Sequence, residues 1–94
     1  MNAIDIYIQF EMHENDDLFF QKKEKKTELI EISHFQINPR ETLYKARFKD
    51  ISMHSKFGEI NINCKDGFWE FHRNSNQKNI ITNSIIEQLI LLNI

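Results

Sequence analysis

The 94-residue chain holds two glycines, one proline and one cysteine, and each scarcity removes a class of explanation. With so little glycine there is no phosphate-cradling loop, and there are few of the irregular loops on which small enzymes hold their substrates. Cys64 stands alone, so no intramolecular disulfide can staple the domain, and a reducing compartment is expected. Ala3 and Ala46 are the only alanines, which argues against a helical bundle. No apolar run approaches the roughly 20 residues needed to cross a bilayer, and the first residues lack the basic start and apolar stretch of a secretory signal. The expectation is a cytoplasmic protein with no membrane partner.

Positive charge is absent from the first twenty residues, which carry Asp5, Glu11, Glu14, Asp16 and Asp17, whereas most basic residues fall between Lys22 and Lys49. A net charge of -2 and a pI near 6.1 lie outside the strongly basic class of duplex nucleic-acid binders. What the chain has in quantity is fifteen Ile, eight Phe, two Tyr and one Trp, a β-branched and aromatic stock that suits strands. Its abundance of Ile, Asn and Lys fits an AT-rich genome, such as that of a low-GC bacterium or a phage. Chains of this length bury only roughly 60 to 65% of their unfolded surface, so a single domain over residues 1–94 is expected.

Periodicity sets the architecture. Ile4, Ile6, Ile8, Phe10 and Met12 alternate with Asp5, Tyr7, Gln9 and Glu11, the signature of a half-buried strand. Residues 13–17 are too polar to bury and read as a turn, and residues 18–21 as a short strand. Residues 22–26, four lysines and a glutamate, have no apolar anchor and read as an exposed hairpin tip. Residues 27–37 change phase twice, which fits a long strand with a bulge. From Asn38-Pro39 two periods compete: a helix would align Tyr44, Phe48 and Ile51, whereas a strand puts Tyr44, Ala46 and Phe48 inward and Leu43, Lys45, Arg47 and Lys49 outward. The strand is preferred, because Asn-Pro also starts turns and the following segments are plainly strands.

Residues 52–57 read as a polar connection. Ile60, Ile62 and Cys64 then alternate with Glu59, Asn61 and Asn63, and Asp66-Gly67 predicts a type I′ hairpin into a return strand over residues 68–73. Residues 74–79 contain no apolar side chain and read as unstructured. Ser84-Ile85-Ile86-Glu87 matches a capping box, which predicts a helix from Ile85 to about Leu92. Its apolar arc would comprise Leu92, Ile85, Leu89, Ile86 and Ile90, leaving Leu91 on the wet face.

Candidate chemistry is sparse. His13, Glu14, Asp16 and Asp17 cluster, but without the spacing of a calcium loop. His34, His54, His72 and Cys64 are scattered singly, with no zinc-binding pair. Cys64 shares the phase of Ile60 and Ile62, where an inert buried thiol is the ordinary outcome. Phe68 to Arg73 interleaves aromatics with charge, as single-strand nucleic-acid binders do, yet Trp69 and Phe71 share one face that the C-terminal helix is expected to cover. Lys45, Arg47 and Lys49 form a basic ladder on one face of a strand, which either shields an edge or meets an acidic partner.

The sequence therefore predicts an α+β fold: a mainly antiparallel, five- or six-stranded twisted meander covered by one C-terminal helix. No catalytic residue, metal or cofactor is expected. The functional expectation is a non-enzymatic protein-binding module, an inhibitor or immunity-type protein, contacting its partner through Lys45, Arg47, Lys49 and Leu91. The partner is expected to be another protein with an acidic surface, rather than nucleic acid, and the C-terminal helix offers a route to a homodimer. A single-stranded nucleic-acid module and a self-assembling structural protein are the alternatives.

Overall fold

A computed structural model describes residues 2–13 and 23–94. Its elements in chain order are β1 (Asn2–His13), β2 (Lys23–Asn38), β3 (Glu41–Phe48), α1 (Ile51–Phe57), β4 (Ile60–Lys65), β5 (Phe68–Phe71) and α2 (Asn76–Leu91). The five strands form one curled antiparallel sheet in the order β1-β2-β3-β4-β5, with α2 at the C-terminus, as the α+β meander predicted.

Alternation in the sequence becomes two faces of this sheet. Ile4, Ile32, Ala46 and Ile60 stand side by side across β1 to β4, and Ile6, Ile30 and Phe48 form the next row. Ile30, Ile32, Ala46 and Ile62 have no exposed surface. The segment after Pro39 is a strand, with Tyr44, Ala46 and Phe48 buried and Lys45, Arg47 and Lys49 exposed. Asn38 caps no helix: its Oδ1 accepts from the Arg40 N–H at 2.9 Å, closing the β2–β3 turn beside a register shift at Gln36/Asn38. Asp66 and Gly67, at φ 52° and 83°, make the predicted I′ hairpin between β4 and β5.

Four expectations require correction. Lys23 to Lys26 belong to β2, where Lys26 pairs with Phe10 and Lys25 with Glu11. The missing apolar anchor is supplied by the opposite strand, against which a half-buried Lys26 can lay its stem. Residues 52–57 lie in α1, a short helix capped by Asp50, whose Oδ2 accepts from the Met53 N–H at 3.0 Å, and ended by Gly58 at φ 68°. Met53 and Phe57, four residues apart, turn its one apolar face inward, and Phe57 meets Phe48 at 5.8 Å between ring centroids.

The third correction is the start of the C-terminal helix. Ser75, not Ser84, is its N-cap and accepts from the Lys78 N–H. Ser84 sits in the helix interior, where its hydroxyl donates to Ile80 O at 3.1 Å, so residues 76–79 form the first turn of α2. The fourth is the buried stripe. Ile81, Thr82, Ile85 and Leu89 are buried and Ile86 is half-buried, whereas Ile90 and Leu92 are mostly exposed. Because α2 packs chiefly against β1 along one ridge of residues four apart, its covered stripe is narrower than an arc lying flat across a sheet.

The far end of α2 closes in a Schellman motif. Asn93, at φ 55°, donates to Ile90 O, and the Ile94 N–H reaches Leu89 O at 3.1 Å. That turn brings Ile94 O to 2.8 Å from the Tyr44 hydroxyl, which donates to it. Burial raises the Tyr44 pKa, with Cys64 adding to the effect. Of the expected turn over residues 13–17, His13 is the last residue of β1 and the rest lies outside the described residues, as do the expected short strand over residues 18–21 and Lys22 of the lysine tip.

Candidate functional site

Two surfaces carry the residues singled out by the sequence. The first is the outer face of β2 and β3. Lys45, Arg47 and Lys49 stand there in line, but the ladder is not a free basic patch. Glu31, opposite Arg47 on β2, accepts from Arg47 Nε at 3.0 Å and from Lys49 Nζ at 3.3 Å, and Asp5 Oδ2 lies 3.8 Å from Lys49 Nζ. Hydrogen bonding from Lys49, followed by the charges of Arg47 and Lys49, holds the Glu31 carboxyl below the usual range. Lys45 makes no ion pair among the described residues; its ammonium lies 5.6 Å from the centre of the Phe35 ring. Two of the three rungs are thus engaged within the fold.

Leu91 lies on the second surface, and it is 73% exposed, on the wet face of α2 as predicted. It lines an open groove of about 410 Å³ whose walls come from two elements. Ser84, Glu87, Gln88 and Leu91 project from one flank of α2; Tyr7 and Gln9 of β1, with their neighbours Lys25 and Thr27 of β2, form the other wall. Tyr7 is 67% exposed. Tyr7 and Leu91, one on each wall, are the large apolar side chains of the groove, and the other lining residues are polar or charged. Neither Lys25 nor Glu87 forms an ion pair among the described residues, which leaves one free charge of each sign on opposite walls.

Beyond one end of the groove, a single side chain ties α2 to β1. Gln77, in the first turn of α2, donates from Nε2 to Glu11 O at 2.9 Å and accepts at Oε1 from the His13 N–H at 3.1 Å. This primary amide fixes the start of the helix to the edge of β1. Both Gln77 and Tyr7 escaped the sequence reading. Gln77 sat in a stretch read as unstructured, and Tyr7 was placed correctly on the outer face without any signal that a helix would flank it.

The other candidates disperse. Trp69 and Phe71 turn toward the core: Trp69 is half-buried with its ring 5.5 Å from that of Tyr44, while Phe68 and Glu70 face outward and are exposed. Phe71 is covered by the Arg73 guanidinium at 4.8 Å. Of the rings in this segment, a strip of stacked bases would therefore find Phe68 and His72 exposed, but not Trp69. No group of three or more His, Cys, Asp or Glu is placed to hold a metal among the described residues, and of the His13, Glu14, Asp16 and Asp17 cluster only His13 is described. Cys64 is half-buried opposite Trp69 on β5. Among the described residues, no helix is long and apolar enough to cross a membrane. Compared with protein-family models, with curated proteins and with solved structures, the chain matches none.

Proposed function

We propose that this chain is a non-enzymatic protein-binding module, an inhibitor or immunity-type protein that masks the active surface of a partner protein. The observation that carries the reading is the pair Tyr7 and Leu91, two large exposed side chains lining the two walls of one groove, with Lys25 and Glu87, which form no ion pair among the described residues, beside them. An apolar centre within a charged margin is the composition of protein contact surfaces, where aromatic anchors supply affinity and the margin supplies selectivity. The basic ladder on the outer face is a second contact. With Arg47 and Lys49 partly neutralised, its role in this reading is to steer an acidic partner rather than to hold it.

A cytoplasmic setting in a bacterial or phage-infected cell belongs to the same proposal, supported by the lone Cys64 and the Ile, Asn and Lys content. The test is affinity capture from the native host with the wild-type chain and with Leu91→Glu, followed by an activity assay on the purified partner. The expected result is one protein retained by the wild type, released by Leu91→Glu, and inhibited on titration to equivalence. A retained protein whose activity is untouched would remove the inhibitory role, and equal retention by both chains would remove the groove.

A further inference from the structure

The edge of β1 beside this groove is unfinished. In an antiparallel ladder each residue sends its N–H and C=O to the same side, and alternate residues serve opposite sides. Gln77 takes the C=O of Glu11 and the N–H of His13, so the odd-numbered residues of β1 face away from β2. The pairing of β1 with β2 runs without a shift from Asn2 to His13, which extends that parity to Asp5, Tyr7 and Gln9. Among the described residues, no backbone or side-chain group meets the outward N–H and C=O of these three. Proteins ordinarily blunt such an edge with Lys, Pro or a bulge, and β1 has none of them.

We propose that the β1 edge receives an extended segment of a partner protein as an added strand, running through the groove between β1 and α2. This rests on the binding reading above and names the form of the partner. Gln77 already occupies one rung with an amide, the chemistry that a neighbouring strand would present at the next rungs. From Asp5 to Gln9 the open edge spans four residue steps, roughly 13 Å at the usual strand rise, which suits a segment of about five residues. The occupant carries an apolar side chain for the space between Tyr7 and Leu91, an acidic group toward Lys25 and a basic group toward Glu87.

The probe is a phage-displayed library of random octapeptides selected on the whole chain, with the recovered peptides synthesised for titration. Gln9→Pro removes an N–H that bonds nothing among the described residues, so it is expected to leave the melting temperature nearly unchanged while weakening peptide binding roughly tenfold or more. N-methylation of alternate peptide amides is expected to abolish binding, and the amide protons of Tyr7 and Gln9 to become protected from exchange when peptide is present. Leu91→Glu provides an independent variant should proline disturb β1. Three results overturn the proposal: no selectable peptide; peptides bound undiminished by Gln9→Pro with no new amide protection; or a peptide-free dimer in sedimentation whose Tyr7 and Gln9 amides are already protected, which assigns the edge to a second copy. If a captured partner is lost on Leu91→Glu yet binds Gln9→Pro at full strength, strand addition fails while the binding-module reading survives.

Discussion

The two faces of β3 share eight residues and almost nothing else. Tyr44, Ala46 and Phe48 are sealed beneath the sheet, while Lys45 and Arg47 stand on the outside, with Lys49 just past the strand end, beside Glu31 and Asp5. Inward positions exchange apolar surface for packed contact and are intolerant of any change in volume. Outward positions exchange solvated charge for solvated charge, at small gain. The fold is therefore specified on one face, and the other is left tolerant of change.

The sharpest break of that contrast is Ile32→Ala. Ile32 has no exposed surface and stands between Ile4 and Ala46 in the central inward row, so the change leaves a cavity and is expected to cost about 2 to 5 kcal/mol. Ser33→Ala, one residue away on the outer face, is expected to stay within roughly 0.5 kcal/mol. Urea titration of both variants measures the difference; comparable losses would mean that the faces are not distinct.

Gly67→Ala tests what keeps each residue on its face. A one-residue slip of the β4–β5 hairpin would exchange Trp69 and Phe71 with Phe68 and Glu70, and the turn that prevents it needs φ 83° at Gly67. A Cβ there meets no neighbouring atom, so the expected loss of about 1 to 2 kcal/mol is purely conformational. Gly67→Asn should recover part of it, because Asn tolerates left-handed backbone. Smaller again is Ser75→Ala, which removes the N-cap of the helix that covers the inner face and is expected to cost about 1 kcal/mol. Ser84→Ala, by contrast, deletes only a bond to Ile80 O within the helix and should be nearly silent in the same thermal melts. The opposite ranking would restore Ser84 as the start.

That pair of serines shows where the sequence was legible. Strands β1, β4 and β5 were readable because a single period governs each, β3 was readable only against a competing helical period, and the Asp66-Gly67 turn was readable because its backbone demand has few chemical solutions. The first turn of α2 was unreadable for a physical reason: its residues reach sideways, Gln77 to β1 and Asn79 to Asn74, instead of packing on the core, so they carry no apolar period. Helix α1 is similar, with only Met53 and Phe57 turned inward. The outward ladder was legible as geometry but not as charge, because Glu31 belongs to a distant segment and only the β2–β3 register brings it opposite Arg47. The groove was half legible: Leu91 stood out as an apolar residue on a wet face, while Tyr7 gained meaning only from the helix laid beside it.

The outer face is expected to show the smallest effect, and pH isolates it. Because Lys49 and Arg47 hold the Glu31 carboxyl below its ordinary value near 4.5, the group binds fewer protons when folded than when unfolded. Its contribution is therefore fully present above the unfolded value and is lost as pH falls through the lower, folded one. Glu31→Gln should melt slightly below the wild type at pH 7, and the gap should close as pH is lowered beneath 4.5. Added salt should narrow the gap at pH 7 as well, since the cluster is solvated. Reversing Lys45, Arg47 and Lys49 to Glu places like charges beside Glu31 and Asp5, so this variant should lose stability most at low ionic strength and regain it with salt. Should the triple variant melt like the wild type at every salt concentration, the pairs contribute nothing to stability. The ladder's charges would then stand beside Glu31 and Asp5 at no energetic gain to the fold.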